Sequence, residues 1–325
     1  MVNAVRIHET GGPEVLKWET IELGPPAPGD VRIRHTAVGL NYIDTYFRSG
    51  LYPAPFGLPF VPGNEGAGVV IAVGAGVTDL KEGDRVAYAG PLGAYSEERN
   101  IPAANLVKVP ERIADETAAG MMLKGMTARY LLKATYPVTA GTTILFHAAA
   151  GGVGLIAGQW AAHLGATAIG TVGSDEKAEL AKANGYAHVI NYRSENWIER
   201  VKEITGGQGC DVVYDSIGRD TFPGSLDCLK HRGMWVSFGQ SSGPLPEVDL
   251  GILARKGSLF ATRPTLFNYI EKREDLVATA NDLFDIVGSG AVTVPINQRY
   301  ALKDAEQAHR DLEGRRTTGT TVLLP

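Results

Sequence analysis

The chain has 325 residues, with 31 Lys+Arg against 36 Asp+Glu and a formal net charge of −5. At roughly 150 residues per domain, this length predicts about two domains, each able to bury its own core. The acidic balance argues against a general nucleic-acid binder. Cys210 and Cys228, the only two cysteines, form no CxxC pair, which excludes a disulfide scaffold and an all-cysteine zinc site.

Met1–Gly12 carries Arg6, His8 and Glu9 without an apolar core, so it reads as neither a signal nor a transit peptide. Eleven of the 18 prolines lie before residue 126, many of them crowded into GPPAPG (Gly24–Gly29) and YPAPFGLPFVPG (Tyr52–Gly63). Between them, Val31–Val38 alternates with a period of two and predicts a strand that turns Val31, Ile33, His35 and Ala37 to one side. Gly68–Val73 and Arg85–Ala89 are further strand candidates. Short strands with Gly/Pro turns predict a mainly β domain over residues 1–125.

From Gly125 the texture changes to apolar strands alternating with helical patterns. The predicted order is Thr143–Ala148, helix Gly152–Leu164, Ala168–Val172, helix Asp175–Asn184, His188–Asn191, helix Glu195–Ile204, Asp211–Asp215, helix Thr221–Leu229, Met234–Phe238 and Leu259–Thr262. Strands rich in β-branched residues and separated by helices point to a parallel sheet covered on both faces. Six of them fit a doubly wound α/β dinucleotide-binding fold over 126–264. Ala134–Ser174 holds 41 residues without Asp, Glu, Lys or Arg, long enough for a membrane span. Its eight glycines and two histidines favour a buried strand–turn–helix–strand unit, and a soluble cytoplasmic protein is expected. After Pro264 the pattern predicts a long helix (Leu266–Val287), a strand (Ile296–Tyr300), a helix (Lys303–Glu313) and a last strand (Thr320–Leu324). About 60 residues make a poor core alone, so 265–325 are expected to complete the first domain.

The strongest local motif is AAAGGVG, Ala148–Gly154, between an apolar strand and a helix. Laid on G-x-G-x-x-G, Ala149 takes the first position, Gly151 the second and Gly154 the third. Gly151 would let backbone approach a pyrophosphate, and Gly154 would let the helix pack on the strand. The helix N-terminus would offer N–H groups to the phosphates. The next strand ends in Gly173 and Ser174 rather than in an acid. Asp175 and Glu176 read as first-turn helix charges behind a Ser174 N-cap. Ser174 and Lys177 are thus candidate partners for a 2′-phosphate, although Lys177 reads equally as a solvated helix lysine. The seven histidines show no H-x3-H spacing, and His147 and His163 are expected in or beside the core. No G-x-S-x-G elbow supports nucleophilic hydrolysis.

Longer motifs carry a resemblance that spans the chain. They run in order from GGPEVL (Gly11–Leu16), GLNYIDTYFRSGLYP (Gly39–Pro53), GDRVAY (Gly83–Tyr88) and LKGMTARYLL (Leu123–Leu132) to HAAAGGVG (His147–Gly154) and VINYR (Val189–Arg193). VYDSIGRDT (Val213–Thr221), VSFGQSSG (Val236–Gly243) and GSLFATRP (Gly257–Pro264) complete the series. The whole resembles the medium-chain dehydrogenase/reductase superfamily, and within it the zinc-free, zeta-crystallin-like NADPH:quinone oxidoreductases.

The resemblance implies a GroES-like first domain, a cleft beside the dinucleotide domain, and a homodimer. Where zinc-using relatives place a Cys and a His, this chain has Asn41 and Asn64, so no metal is expected. Positions matching the family's NADPH contacts are Asn41, Thr127, Tyr130, Gly152, Val153, Gly173, Ser174, Lys177, Tyr192, Ser216, Phe238, Gly239, Ser241, Thr262 and Arg315. Lys177 and Tyr192 resemble its 2′-phosphate binders. Tyr46, Tyr52 and Arg263 resemble the polar lining of its quinone pocket and are the candidate catalytic residues. Each has a plainer reading as packing or loop surface. The expected activity is metal-free reduction of a small-molecule quinone by NADPH. An NADPH-dependent reductase of α,β-unsaturated ketones or aldehydes stays open, as does a largely non-catalytic NADPH- or RNA-binding protein. The uncharged run Ser258–Thr262, if it ends the sheet, predicts an edge that pairs across a two-fold axis and buries Leu259 and Phe260.

Overall fold

The computed structural model describes residues 1–325, which divide into two compact units. The first comprises Met1–Met126, Ile270–Gly288 and Val294–Pro325; the second comprises Thr127–Tyr269 and Ser289–Thr293.

The second unit is built on six parallel strands. In sheet order they are His188–Asn191, Thr167–Val172, Thr143–Phe146, Cys210–Asp215, Leu229–Ser237 and Phe260–Thr262. By chain position that order is 3-2-1-4-5-6, the doubly wound arrangement. Its crossover point lies between Thr143–Phe146 and Cys210–Asp215, which pair through Val212 and Ile144, Val213 and Leu145, and Tyr214 and Phe146. Both faces of these central strands are covered. Ile144, Leu145, Val212, Val213 and Tyr214 are fully buried, which explains their unbroken apolar character. The connecting helices Gly152–His163, Asp175–Lys182 and Trp197–Ile204 end within two residues of their expected limits.

The first unit is mainly β. Its seven-stranded sheet runs Ile296–Ala301, Thr320–Leu324, Asp30–Gly39, Glu65–Val73, Arg85–Ala89 and Val107–Lys108, with Glu98–Pro102 also paired to Asp30–Gly39. Pairing is antiparallel except between Ile296–Ala301 and Thr320–Leu324. A hairpin of Val2–Ile7 and Leu16–Ile21 forms a separate two-stranded sheet in this unit. Asp30–Gly39 buries Val31, Ile33, His35 and Ala37, the face read from its alternation. Helix Tyr42–Ser49 follows this strand and ends at Gly50, whose φ of +80° closes it with a left-handed residue.

Several expectations need correction. The helix placed at Thr221–Leu229 is only Gly224–Asp227, and Leu229 already opens the next strand. The polar segment His231–Gly233, with Arg232 at φ +60°, hid the early half of that strand. The long helix expected at Leu266–Val287 is two, Leu266–Tyr269 and Arg273–Gly288, broken where the chain passes between units. Helix Asp115–Tyr130 was not anticipated. It is buried nearly all round and so shows no apolar stripe. His163 ends its helix exposed rather than in the core. Leu259 is only 7% exposed and belongs to the core of its own unit, so the sheet edge offers Phe260 without it.

Candidate functional site

In the second unit, strand Thr143–Phe146 leads through Ala148–Gly151 into helix Gly152–His163, which opens behind Gly151 without a side-chain cap. A Cβ on Gly154 would collide with the carbonyl oxygens of Ala148 and Ala149, so only glycine lets this helix sit so close to the strand end. Gly152 and Val153 form its first turn, where backbone N–H groups lack intrahelical partners and the dipole end is positive. A helix start of this kind can cradle an anion.

One strand over, Gly173 and Ser174 follow Thr167–Val172. A Cβ on Gly173 would lie 2.5 Å from the Tyr192 hydroxyl, so Tyr192 folds across this strand end and glycine makes room for it. Tyr192 is anchored by its N–H to the Val172 carbonyl at 3.1 Å, and its side chain stays 40% exposed. Ser174 caps helix Asp175–Lys182, its hydroxyl oxygen accepting the Lys177 N–H at 3.3 Å. A hydrogen bond from Ser174 also holds the Glu176 carboxyl below its usual range. Asp175 takes the Asn191 side-chain amide at 2.8 Å, a first-turn helix charge rather than a strand-end acid. Gly173, Ser174, Lys177 and Tyr192 are thereby brought into one small region.

Two further loops join at the ends of Cys210–Asp215 and Leu229–Ser237. Phe238 donates its N–H to the Asp215 carbonyl at 2.8 Å, and Ser241 donates to the Ser216 carbonyl at 3.1 Å. A Cβ on Gly239 would meet the Ser216 carbonyl oxygen at 2.7 Å, so these loops touch backbone to backbone. Phe238 packs on Phe146 with ring centroids 5.6 Å apart. Thr262 pairs with Val236 at the sheet edge, and Arg263 Nη1 donates to the Ser237 carbonyl at 2.8 Å. Thr127 is buried, and Tyr130 stacks on Tyr269 at 4.4 Å and 14°. Burial, with Tyr269 beside it, pushes the Tyr130 hydroxyl well above its usual range, so it stays protonated.

In the first unit, Tyr46 and Tyr52 meet edge to face at 5.2 Å, and the Tyr52 N–H donates to the Tyr46 carbonyl at 3.0 Å. Tyr42 approaches Tyr46 at 6.5 Å, the helical spacing read from the sequence. Arg315 takes a φ of +58° after helix Ala305–Glu313.

Asn41 and Asn64 lie in a buried polar network. Asn41 Nδ2 donates to Glu65 Oε2 at 3.1 Å, and Asn64 Nδ2 donates to Asp44 Oδ1 at 2.8 Å. Glu65 also accepts from Lys124 Nζ at 3.1 Å and from the Leu123 N–H at 3.1 Å. Asp44 Oδ2 accepts from the Asn41 N–H at 2.9 Å and the Tyr95 hydroxyl at 3.0 Å. Burial raises Asp44 to about 6 and raises Glu65, against the pull of these donors. The carboxylates here are engaged by amides and an ammonium, and no three His, Cys, Asp or Glu side chains are grouped to hold a metal ion. No helix is long and apolar enough to cross a membrane.

Sequence reading missed a second buried network, beneath the dinucleotide loops. His147, Thr171, Ser225 and Asp215 are each at most 2% exposed and are bonded in series. The signal in the sequence was that His147, Thr171 and Asp215 are polar residues at the ends of otherwise apolar strands; Ser225, in the short helix Gly224–Asp227, gave none.

Residues 27–111 match the alcohol dehydrogenase GroES-like domain and 152–285 match the zinc-binding dehydrogenase domain. The chain is 55% identical over 326 residues to a quinone oxidoreductase of Pseudomonas aeruginosa, covering all of both chains. It is 49% identical over 334 residues to a 2-haloacrylate reductase of a Burkholderia species, covering 100% of this chain and 99% of that one. The structure of an Escherichia coli quinone oxidoreductase complexed with NADPH superposes with a TM-score of 0.97 at 51% identity, covering 99% of this chain and 100% of the other. With full-length identity of this order, the chain belongs to the quinone oxidoreductase family of the medium-chain dehydrogenases/reductases.

Proposed function

We propose that this protein reduces quinones with NADPH and needs no metal ion. The observation that carries the reading is the pairing of full-length similarity to quinone oxidoreductases with an intact cradle in the second unit. Gly154 lets helix Gly152–His163 close on the strand end and Gly173 makes room for Tyr192, which is the close backbone packing that a dinucleotide-binding turn needs. Ser174, Lys177 and Tyr192 would hold the 2′-phosphate. Gly152 and Val153 would meet the pyrophosphate, and Ser216, Phe238, Gly239, Ser241 and Thr262 would line the rest. Asn41, Thr127, Tyr130 and Arg315 complete the proposed contacts.

Bound NADPH would supply the reducing electrons. A quinone is already a good acceptor and its reduced form is an acidic phenol that solvent can protonate, so the protein contributes positioning more than a strong acid. Tyr46 and Tyr52 are proposed to orient the quinone carbonyl. Arg263 is proposed to stabilise the negative charge that develops on its oxygen. Metal independence fits the amide and ammonium partners of Glu65 and Asp44. A cytoplasmic homodimer that uses no nucleic acid is proposed with it.

The 2-haloacrylate reductase relative favours a second reading, reduction of an activated carbon–carbon double bond. Steady-state kcat/KM with 1,4-benzoquinone, an alkenal and 2-chloroacrylate, each with NADPH, separates the two. Preference for the quinone, unchanged after dialysis against a strong chelator, is expected. Turnover of only the unsaturated acid or aldehyde would overturn the quinone reading.

A further inference from the structure

The turn that opens the cradle contains a strained residue. Ala148 has φ +57°, a left-handed conformation disfavoured for any residue with a Cβ. Such a residue persists only where its surroundings over-determine it, and it tends to mark a functional position. Here both neighbours of Ala148 are tied to one residue, Thr171 of the adjacent strand. The Thr171 hydroxyl bonds His147 Nδ1 at 2.8 Å, and the Thr171 carbonyl accepts the Ala149 N–H at 3.1 Å. The His147 N–H is fixed to the Tyr214 carbonyl at 3.0 Å, and Gly151 closes the turn with its N–H on the Ala148 carbonyl at 2.9 Å.

Donor counting gives this clamp a direction. Asp215 is fully buried, yet it is held below the usual carboxylate range. Burial alone would raise it, but His147, the Ser225 and Thr221 hydroxyls and the Gly218 N–H outweigh burial. It is therefore ionised and only accepts. The Ser225 hydroxyl donates to Asp215 Oδ2 at 2.7 Å, closer than its 3.3 Å approach to the Thr221 carbonyl. With its one proton used, Ser225 accepts from His147 Nε2–H at 3.1 Å. Burial lowers His147 against the pull of Asp215, so at neutral pH the ring carries one proton; with that proton on Nε2, Nδ1 accepts from the Thr171 hydroxyl. The chain Thr171→His147→Ser225→Asp215 links the ends of three strands. Its last member also takes the N–H groups of Ile217 and Gly218 at 2.9 and 3.1 Å, and so shapes the loop beginning at Ser216.

We infer that His147 and Thr171 are positioning residues for the dinucleotide, acting through Ala148: the buried chain holds Ala148 in the left-handed conformation that aims the turn Ala148–Gly154. The inference rests on the proposed reading of that turn as the NADPH site. It also accounts for an alanine, rather than a glycine, at the head of the turn, since an external clamp supplies what glycine would have given for free.

The test is a double-mutant cycle read by the NADPH dissociation constant, from the fluorescence of bound NADPH. Thr171→Val is nearly isosteric, removes the hydroxyl and keeps the backbone carbonyl. In the Ala148 protein it should weaken NADPH about 3- to 12-fold, the worth of a buried hydrogen bond. In an Ala148→Gly background the same change should cost less than about 2-fold, because glycine enters positive φ unaided. If Thr171→Val does not fold, His147→Gln is read in the same two backgrounds with the same expectation. Equal weakening in both backgrounds, or none in the Ala148 protein, overturns the inference while leaving NADPH binding intact. An unmodified protein with no NADPH affinity overturns the functional reading itself, and the inference with it.

Discussion

Lys124 Nζ lies 3.1 Å from Glu65 Oε1, with side-chain exposures of 6% and 0%. An ion pair so buried is costly to break from one side, because the remaining charge has no water to turn to. Lys124→Met should therefore destabilise the protein by about 3–5 kcal/mol. Adding Glu65→Gln should recover part of that loss, since a neutral amide needs no counter-charge. Urea unfolding of the two variants decides it, and a double variant less stable than Lys124→Met alone would count against the account.

A buried histidine of the same unit gives a pH dependence. The Tyr95 hydroxyl donates to Asp44, so it accepts from His309 Nε2, and Arg48 Nη1 donates to His309 Nδ1 at 3.0 Å. Burial, with Arg48 beside it, pushes His309 from 6.5 down to about 3. A histidine lowered in the fold gives stability that is complete above 6.5 and is lost as the pH falls towards 3. Asp44 and Glu65 are raised and have the opposite sign, favouring the fold in acid. The contribution of His309 is therefore read by difference. His309→Gln should lose stability less steeply than the unmodified protein between pH 6.5 and 4, by a few kcal/mol across the interval at about 1.4 kcal/mol per pH unit. Parallel stability curves for the two proteins would remove His309 from the explanation.

The parallel sheet was legible because its central strands are buried on both faces and its helices are short and punctuated. His188–Asn191 in that sheet, and Arg85–Ala89 in the sheet of the first unit, have the limits read from the sequence. Helix Asp115–Tyr130 was not legible, because a helix buried all round carries no 3.6-residue stripe. The candidate site divides the same way. Gly154, Gly173 and Ser174 declare themselves by position on a strand–turn–helix unit. Lys124, Glu65, His147 and Asp215 do not, since Lys124 meets Glu65 across 59 positions and His147 reaches Asp215 only through Ser225, 78 positions further on.

Lys177 tests the choice of cofactor. It follows the Ser174 cap, and no carboxylate ends strand Thr167–Val172 to bind a free ribose hydroxyl. Lys177→Ala should weaken NADPH about 10- to 150-fold, the worth of one charged hydrogen bond, and leave NADH nearly unchanged. Isothermal titration with each cofactor separates the cases, and equal loss for both would assign Lys177 a general role.

The sheet of the second unit ends at Phe260–Thr262, which pairs only with Leu229–Ser237, and Phe260 is 57% exposed there. An apolar open edge favours pairing with a second copy across a two-fold axis. Leu259 is already buried, so Phe260 carries the apolar contact. Phe260→Lys should convert a dimer to monomers or to insoluble protein, as seen by sedimentation. A monomer before mutation, or an unaltered dimer after it, rejects the proposed pairing.

Asp215→Asn should reverse the buried chain rather than break it. Asp215 Oδ1 accepts from the Ile217 and Gly218 N–H groups, with the Thr221 hydroxyl 2.9 Å from Oδ1 and 2.8 Å from Oδ2, so an asparagine would keep its carbonyl oxygen at the two N–H groups. Its amide nitrogen then faces Ser225 Oγ, where Asp215 Oδ2 stood at 2.7 Å. Two donors cannot face each other, so Ser225 must accept from the new amide and turn its own proton to His147 Nε2. The ring proton moves to Nδ1, which donates to the Thr171 hydroxyl oxygen. Every bond along Ser225, His147 and Thr171 survives with its direction reversed. The weak approach of Trp235 Nε1 at 3.4 Å is lost, along with the charge on the acceptor. The expected cost is modest, about 1–3 kcal/mol. Nitrogen-15 NMR of the histidine rings reads the outcome directly: His147 should carry its proton on Nε2 in the unmodified protein and on Nδ1 in Asp215→Asn. The same tautomer in both proteins would show that Asp215 does not set the direction of the chain.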